Sequence, residues 1–271
     1  MLARGKNGII YKARDARDGK AVALKVLNAM ATDSEDDVHR FIRAMKTVVA
    51  LKHPNLVAVH AAGKVGSVCW VAMEYVEGES LTKVIERIGT LGMLDWRYAL
   101  AIAAQIGRAL EAAFEQHIIH RNVTSENILV RKADNVAKLG DLMLVKAMEG
   151  TLAVQVTQPG HLVGNLAYMA PERTREDATV DTRSDIYGLG ATVYALLTGR
   201  PPFEGTSLVE TIRKIRTDEP IEPKKHQLSV PDLFEGTVLK VLAKRPEDRF
   251  QTPTELLKDL QRVAKYNGIT L

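Results

Sequence analysis

Val71-Ala72-Met73-Glu74-Tyr75-Val76-Glu77-Gly78-Glu79-Ser80-Leu81 is the stretch at which this 271-residue chain changes character, and the change decides its fold class. Upstream, from Gly8 to about Tyr75, the runs are short and β-branched or alternating. Val22, Leu24 and Val26 alternate with Ala23, Lys25 and Leu27, and Asp18-Gly19 turns the chain back toward Ile9-Ile10-Tyr11, which predicts a hairpin. One helical interruption is expected, with Val38, Phe41, Met45 and Val48 on one face and Ser34 or Asp33 as its N-cap. Downstream the pattern turns helical. Asp95 can cap a helix whose apolar stripe is Ala99, Ala103, Ile106, Leu110 and Ala113. A second helix carries Ile186, Leu189, Val193 and Leu196 and stops at Gly199, ahead of Pro201-Pro202. The reading is an α+β protein in which a small β-rich lobe, 1–77, joins a larger helical lobe, 78–271, near Gly78.

Composition narrows the function classes. With 46% hydrophobic and 26% charged residues the chain can bury a core and lacks the signature of disorder. The 37 Lys plus Arg against 33 Asp plus Glu leave +4, read here as scattered, so nucleic acid is not implied. Cys69 is the single cysteine, which rules out an intrachain disulfide and a cysteine-rich zinc site and fits a reducing compartment. No window reaches ~18 uninterrupted apolar residues, and Met1-Leu2-Ala3-Arg4-Gly5-Lys6 lacks the apolar run of a signal peptide. The expectation is a cytoplasmic chain with no membrane segment. His39, His60, His117, His161 and His226 show no metal-ligand spacing with a second ligand.

Seven motifs then stand in a fixed order: Ala3-Arg4-Gly5-Lys6-Asn7-Gly8-Ile9-Ile10; Val22-Ala23-Leu24-Lys25; His120-Arg121-Asn122 with Asn127; Asp141-Leu142-Met143; Ala170-Pro171-Glu172; Asp181-Thr182-Arg183-Ser184-Asp185-Ile186-Tyr187; and Lys244-Arg245-Pro246-Glu247-Asp248-Arg249-Phe250. Each alone is weak. Together, nearly end to end, they resemble a eukaryotic-type protein kinase domain of the bacterial Ser/Thr kind. The resemblance implies the bilobal protein kinase fold with a five-stranded, all-antiparallel sheet, ATP and Mg²⁺ as cofactors, and a protein as partner or substrate. A glycine-rich turn lets backbone N–H groups approach phosphates, and Gly5 and Gly8 match its second and third glycines, with Ala3 in place of the first. Only two residues precede Ala3, too few for the strand that enters such a loop, so the sheet is expected to be short of its first strand and the chain cropped. By the same resemblance Lys25 reaches the α- and β-phosphates, and Ile10, Ala23 and Leu129 sandwich the adenine. Met73 is the gatekeeper, and the Glu74 carbonyl and Val76 amide face the adenine edge. Asn127 and Asp141 supply oxygen ligands to Mg²⁺.

The departures carry as much information. The helix acid that pairs with the strand lysine, ten residues before the proline of His53-Pro54-Asn55, is Ala44, and no Asp or Glu occurs between Asp37 and Glu74. Lys25 is therefore expected to turn to Asp141. The aspartate that accepts the substrate proton is Asn122, and the lysine that stabilises the transferred phosphoryl is Thr124, so two charges that act in the transition state are gone. Asp141-Leu142-Met143 keeps a metal ligand and loses the hinge glycine, while Leu142 can fill a hydrophobic column with His120, Val48 and Val59. The large lobe keeps its structural residues: Glu172 and Arg249 match a buried pair, and Asp185 matches the aspartate that supports the catalytic loop. Thr151 and Thr157 are phosphorylation candidates with Arg121 as partner. Two functions follow. One is a pseudokinase, a regulatory or scaffolding module with weak ATP binding. The other is an active, non-standard Ser/Thr kinase, since a general base is worth only about 10²–10⁴-fold.

Overall fold

A computed structural model describes residues 1–5, 8–27, 35–66, 68–142, 166–175 and 179–271. Lys6, Asn7, Asp33, Ser34, Met143, Thr151, Thr157, His161 and Asn165 lie outside the described residues, and so does the side chain of Val38.

The N-terminal lobe is one antiparallel sheet of β1 (Ala3–Gly5), β2 (Gly8–Arg14), β3 (Ala21–Leu27), β4 (Val59–Val65) and β5 (Val68–Glu74), in the order β1-β2-β3-β5-β4. The expected hairpin is β2–β3, closed by a turn in which Gly19, at φ +71°, donates its N–H to the Asp15 carbonyl. The expected loss of the first strand is corrected. Ala3, Arg4 and Gly5 pair with Ile10, Ile9 and Gly8, so residues read as loop are a three-residue strand. Along β3, Ala23, Lys25 and Leu27 are buried while Val22, Leu24 and Val26 are half-buried, the period-two pattern of a strand with one face on the core. Cys69, on the inward face of β5, is fully buried between β3 and β4.

Helix α1 (Glu35–Ala50) packs against β4 through Phe41, Met45 and Val48, all buried and spaced i, i+4, i+7. The chain then enters a second, three-stranded sheet of β6 (Gly78–Ser80), β7 (Ile128–Arg131) and β8 (Ala137–Leu139), which the sequence did not reveal. Gly78 is thus more than a joint. A Cβ there would lie 1.9 Å from the Val130 carbonyl oxygen, so only glycine lets β6 approach β7.

The remainder is helical: α2 (Leu81–Leu91), α3 (Trp96–Glu115), α4 (Thr182–Thr198), α5 (Leu208–Thr217), α6 (Asp232–Val241) and α7 (Pro253–Tyr266). Asp95 caps α3 by accepting from the Arg97 N–H, and the α3 stripe is buried throughout against α4 and α7. α4 ends as expected at Gly199, whose φ of +75° closes a left-handed cap. The stripe read on α4 is an understatement, because every residue from Ser184 to Leu197 is buried and the helix is the axis of the lobe.

Candidate active site

One ion pair between the lobes lies at the cleft. Lys25 is the single charged residue among the inward-facing side chains of β3, and its ammonium donates to Asp141 Oδ2 at 2.6 Å. Both groups leave water, the Lys25 side chain to 5% exposure, so each requires the other. Asp141 follows β8 with φ +61°, a conformation unusual for a residue with a Cβ. Backbone bonds set its approach: the Leu139 N–H donates to Asn55 and the Val57 N–H donates to Leu139, at 2.8 and 2.9 Å. Asn55 adds side-chain bonds to the Ala137 carbonyl and Gln105. Ala44 offers no competing acid and is packed half-buried against the core.

Sheet register gathers most of the other expected positions. Ile10 lies opposite Lys25, Ala23 opposite Met73, and Val22 opposite Glu74. Met73, Val76 and Ala23 are buried, and Ile10 and Leu129 are half-buried against the core, Leu129 on β7 in the other lobe. Among the described residues no group accepts a hydrogen bond from the Val76 N–H. A Cβ on Gly5 would meet open space, whereas one on Gly8 would sit 2.0 Å from the Val26 carbonyl oxygen. Gly8 is therefore demanded by the approach of β2 to β3.

Glu74 carries a contact that sequence reasoning missed. Its carboxylate accepts from Lys138 at 3.0 Å and from the Ala58 N–H at 3.3 Å, which ties the end of β5 to β8. Lys138 is buried on a strand of three residues, too short for any periodicity to betray its direction.

The loop from His120 to Asn127 is closed on itself and anchored below. Asp185 is buried and accepts the N–H groups of His120 and Arg121 at 2.7 and 2.6 Å, holding Arg121 at φ +66°. Burial pushes the Asp185 carboxyl up to about 6, against the pull of those two bonds. Burial likewise pushes His120 down to about 4. Its Nδ1 accepts from the Asn122 N–H at 3.2 Å and its Nε2–H donates to the Gly140 carbonyl at 2.9 Å, a fully used neutral ring. His120, Leu142, Val48 and Val59, the four residues of the expected column, are all buried. Asn127 donates through Nδ2 to the Asn122 carbonyl at 2.9 Å and takes the Gly140 N–H on its own carbonyl. The Thr124 hydroxyl is buried with no hydrogen-bond partner among the described residues. Ser125 bonds Thr82 at 2.9 Å and Tyr168, joining the loop to α2 and to the segment before Pro171.

A folded His120 resists protonation until about pH 4, while the unfolded ring charges near 6.5. Its contribution to stability is complete above pH 6.5 and is lost as pH falls toward 4. The difference in unfolding free energy between wild type and His120→Asn is expected to shrink across that window, as read from urea titrations at stepped pH. Asp185 has the opposite sign, and being common to both proteins it drops out of the difference.

The expected pair in the large lobe forms as a fork. Arg249 Nη1 and Nη2 donate to Glu172 Oε1 and Oε2, each at 2.8 Å, and Ser184 donates to Oε1 at 2.6 Å. Burial pushes the Glu172 carboxyl up, but the Arg249 bonds and charge outweigh it and the net is a lowered pKa.

Chemically, the cleft offers one carboxylate and one amide, a donor set suited to a hard cation, with the carboxylate already engaged by Lys25. Asn122, the residue expected at the proton acceptor's position, is half-buried, and an amide has no useful basicity. The only acid between His120 and Ala133 is Glu126, which is exposed.

Comparison with known proteins agrees with this geometry. The protein kinase domain matches as a family over residues 1–260. The serine/threonine-protein kinase PknB of Mycolicibacterium smegmatis is 36% identical over 267 residues, 97% of this chain and 42% of that protein. A probable serine/threonine-protein kinase of Clostridium perfringens is 31% identical over 270 residues, 38% of its length. The chain thus spans less than half the length of these curated relatives. Among solved structures, the PknI kinase domain of Mycobacterium tuberculosis superposes with a TM-score of 0.74 at 26% identity, covering 97% of this chain and 93% of that one.

Proposed function

The chain belongs to the protein kinase domain family, related to the bacterial Ser/Thr kinases, and from that premise we propose that it is a pseudokinase module. It binds ATP weakly, transfers phosphate poorly or not at all, and acts on a protein partner as a regulatory or scaffolding domain. The observation that carries this reading is Asn122, an amide at the position expected for the proton acceptor, in a loop that Asp185 anchors and Asn127 closes. Thr124, Ala44 and the Lys25–Asp141 pair point the same way, each removing or engaging a charge that phosphoryl transfer uses.

The nucleotide would lie between Ile10, Ala23 and Leu129, bounded by Met73, Glu74 and Val76, with Gly5, Gly8 and Lys25 toward its phosphates. Asn127 and Asp141 would hold Mg²⁺, which neutralises phosphate charge when bound. Asp141 must first leave Lys25, so metal and internal ion pair compete for one carboxylate. ATP binding is accordingly expected to be weak and to change less than tenfold in affinity, about 1.4 kcal/mol, on adding Mg²⁺. The test is a nucleotide-dependent thermal shift with and without Mg²⁺, paired with a radiolabelled transfer assay. Binding without transfer supports the proposal. A tenfold or greater gain with Mg²⁺, accompanied by transfer, would return the chain to the active kinases.

A further inference from the structure

The positive charge of this chain is collected, not scattered as its sequence first suggested. Residues 78–271 hold 25 Lys plus Arg and 25 Asp plus Glu, whereas residues 1–77 hold 12 and 8. From Val38 to Met73 there is no acid, while Arg40, Arg43, Lys46, Lys52 and Lys64 supply cations and His39, His53 and His60 supply imidazoles.

The fold turns this run into a surface. α1 spends Phe41, Met45 and Val48 on the core and leaves His39, Arg43, Lys46, Thr47 and Ala50 exposed. His39, Arg43 and Lys46 fall at i, i+4, i+7, a single stripe with Cβ spacings of about 5–6 Å. Asp37, the last acid, lies roughly 9 Å along the axis before Arg43, beyond the reach of an i,i+4 pair. α1 packs against β4, the edge strand, where His60 and Lys64 are exposed. Among the described residues no carboxylate pairs with Arg43, Lys46 or Lys64. Some exposed cations elsewhere have salt-bridge partners, Arg17 with Asp15, Arg87 with Glu79, Arg213 with Asp218 and Arg262 with Asp259, and others such as Lys83, Lys132 and Lys258 have none among the described residues. What sets the α1 stripe apart is that its cations cluster in a stretch with no acid from Val38 to Met73.

We propose that the outer face of α1, with the adjoining β4 edge, docks an acidic segment of a protein partner. The chemistry favours carboxylates over the other polyanions. Duplex nucleic acid binding draws its affinity from about 6–10 phosphate contacts, more than this stripe can make. A bilayer would need an apolar face to insert, and that of α1 is already buried in the sheet. The β4 edge carries a bulge between Val59 and Ala61 and a lysine at Lys64, two features that discourage strand addition. Recognition therefore runs through side-chain charge, with carboxylates one helical turn apart matching the stripe. The surface is independent of phosphate transfer and would serve an active or an inactive kinase fold alike.

The test is fluorescence anisotropy of the full chain with a labelled Glu-rich peptide, with phosphatidylserine-containing vesicles and a single-stranded DNA oligonucleotide as competing probes. Arg43→Glu combined with Lys46→Glu is expected to weaken peptide binding about tenfold or more, and salt near ~0.5 M should abolish it in the wild type. Lys258→Glu, an exposed charge reversal on α7, is expected to leave it unchanged. Peptide binding indifferent to the double variant, absence of peptide binding, or a preference for vesicle or DNA would each overturn the proposal. Thermal melts of both variants separate a lost surface from a lost fold.

Discussion

Arg249→Ala is expected to lower the unfolding free energy by about 3–5 kcal/mol, the cost of leaving one charge of a buried pair without its partner. The guanidinium is fully buried and holds more than Glu172, since it also donates to the carbonyls of Ala243, Lys244 and Arg183 at 2.8, 3.0 and 3.1 Å. Alanine would leave a buried carboxylate with the Ser184 hydroxyl but no opposite charge, and would remove a donor from three carbonyls at the junction of the Pro171 segment, α4 and the loop before α7. For a domain of this size the loss corresponds to roughly 10 °C in Tm. Calorimetry on the purified variant measures it. A second variant, Glu172→Gln with Arg249→Met, should lose less than the single one, because it removes both charges together. A single variant that melts with the wild type would show that this pair contributes nothing to stability.

Asn122→Asp is expected to leave phosphate transfer below ~1 s⁻¹, under the usual kinase range. Restoring the base alone could supply about 10²–10⁴-fold. That gain requires a phosphoryl group already positioned and neutralised, and catalytic groups that act as a unit do not add independently. Lys25 would still be held by Asp141, and Thr124 would still bring a hydroxyl where the proposed reading needs a positive charge. Adding Ala44→Glu and Thr124→Lys to Asn122→Asp should therefore raise the rate by more than the single changes combined. Radiolabelled transfer to a generic protein substrate reads both steps. A single variant at ~1 s⁻¹ or faster would mean that Asn122 was the only defect.

How much of this was legible beforehand depended on length and on partners. β3, α3 and the C-terminal end of α4 were readable because seven or more residues display a period, and because Asp95 and Gly199 punctuate it, while β2 was read from the run Ile9-Ile10-Tyr11 and the Asp18-Gly19 turn. The sheet of β6, β7 and β8 was not, since strands of three or four residues contain too few alternations. β1 was mistaken for loop for the same reason. The Lys25–Asp141 pair was anticipated from the resemblance, which puts Asp141 across the cleft from Lys25, together with the lack of an acid on the helix. Lys138–Glu74 was not, because either residue alone reads as a solvated surface charge. The α1 stripe was hidden by averaging charge over the whole chain, where the balanced large lobe diluted it.

Cys69 gives the small lobe a property that its neighbours do not share. It is the chain's one thiol, and it sits fully buried on the inward face of β5, the strand that β3 and β4 flank in the sheet. A side chain on that face stands perpendicular to the sheet, so alkylation at this sulfur is gated by opening of the core packed beneath β5. The chain carries its own stopwatch for one lobe, in which the rate of covalent labelling reports how often the core beneath β5 opens.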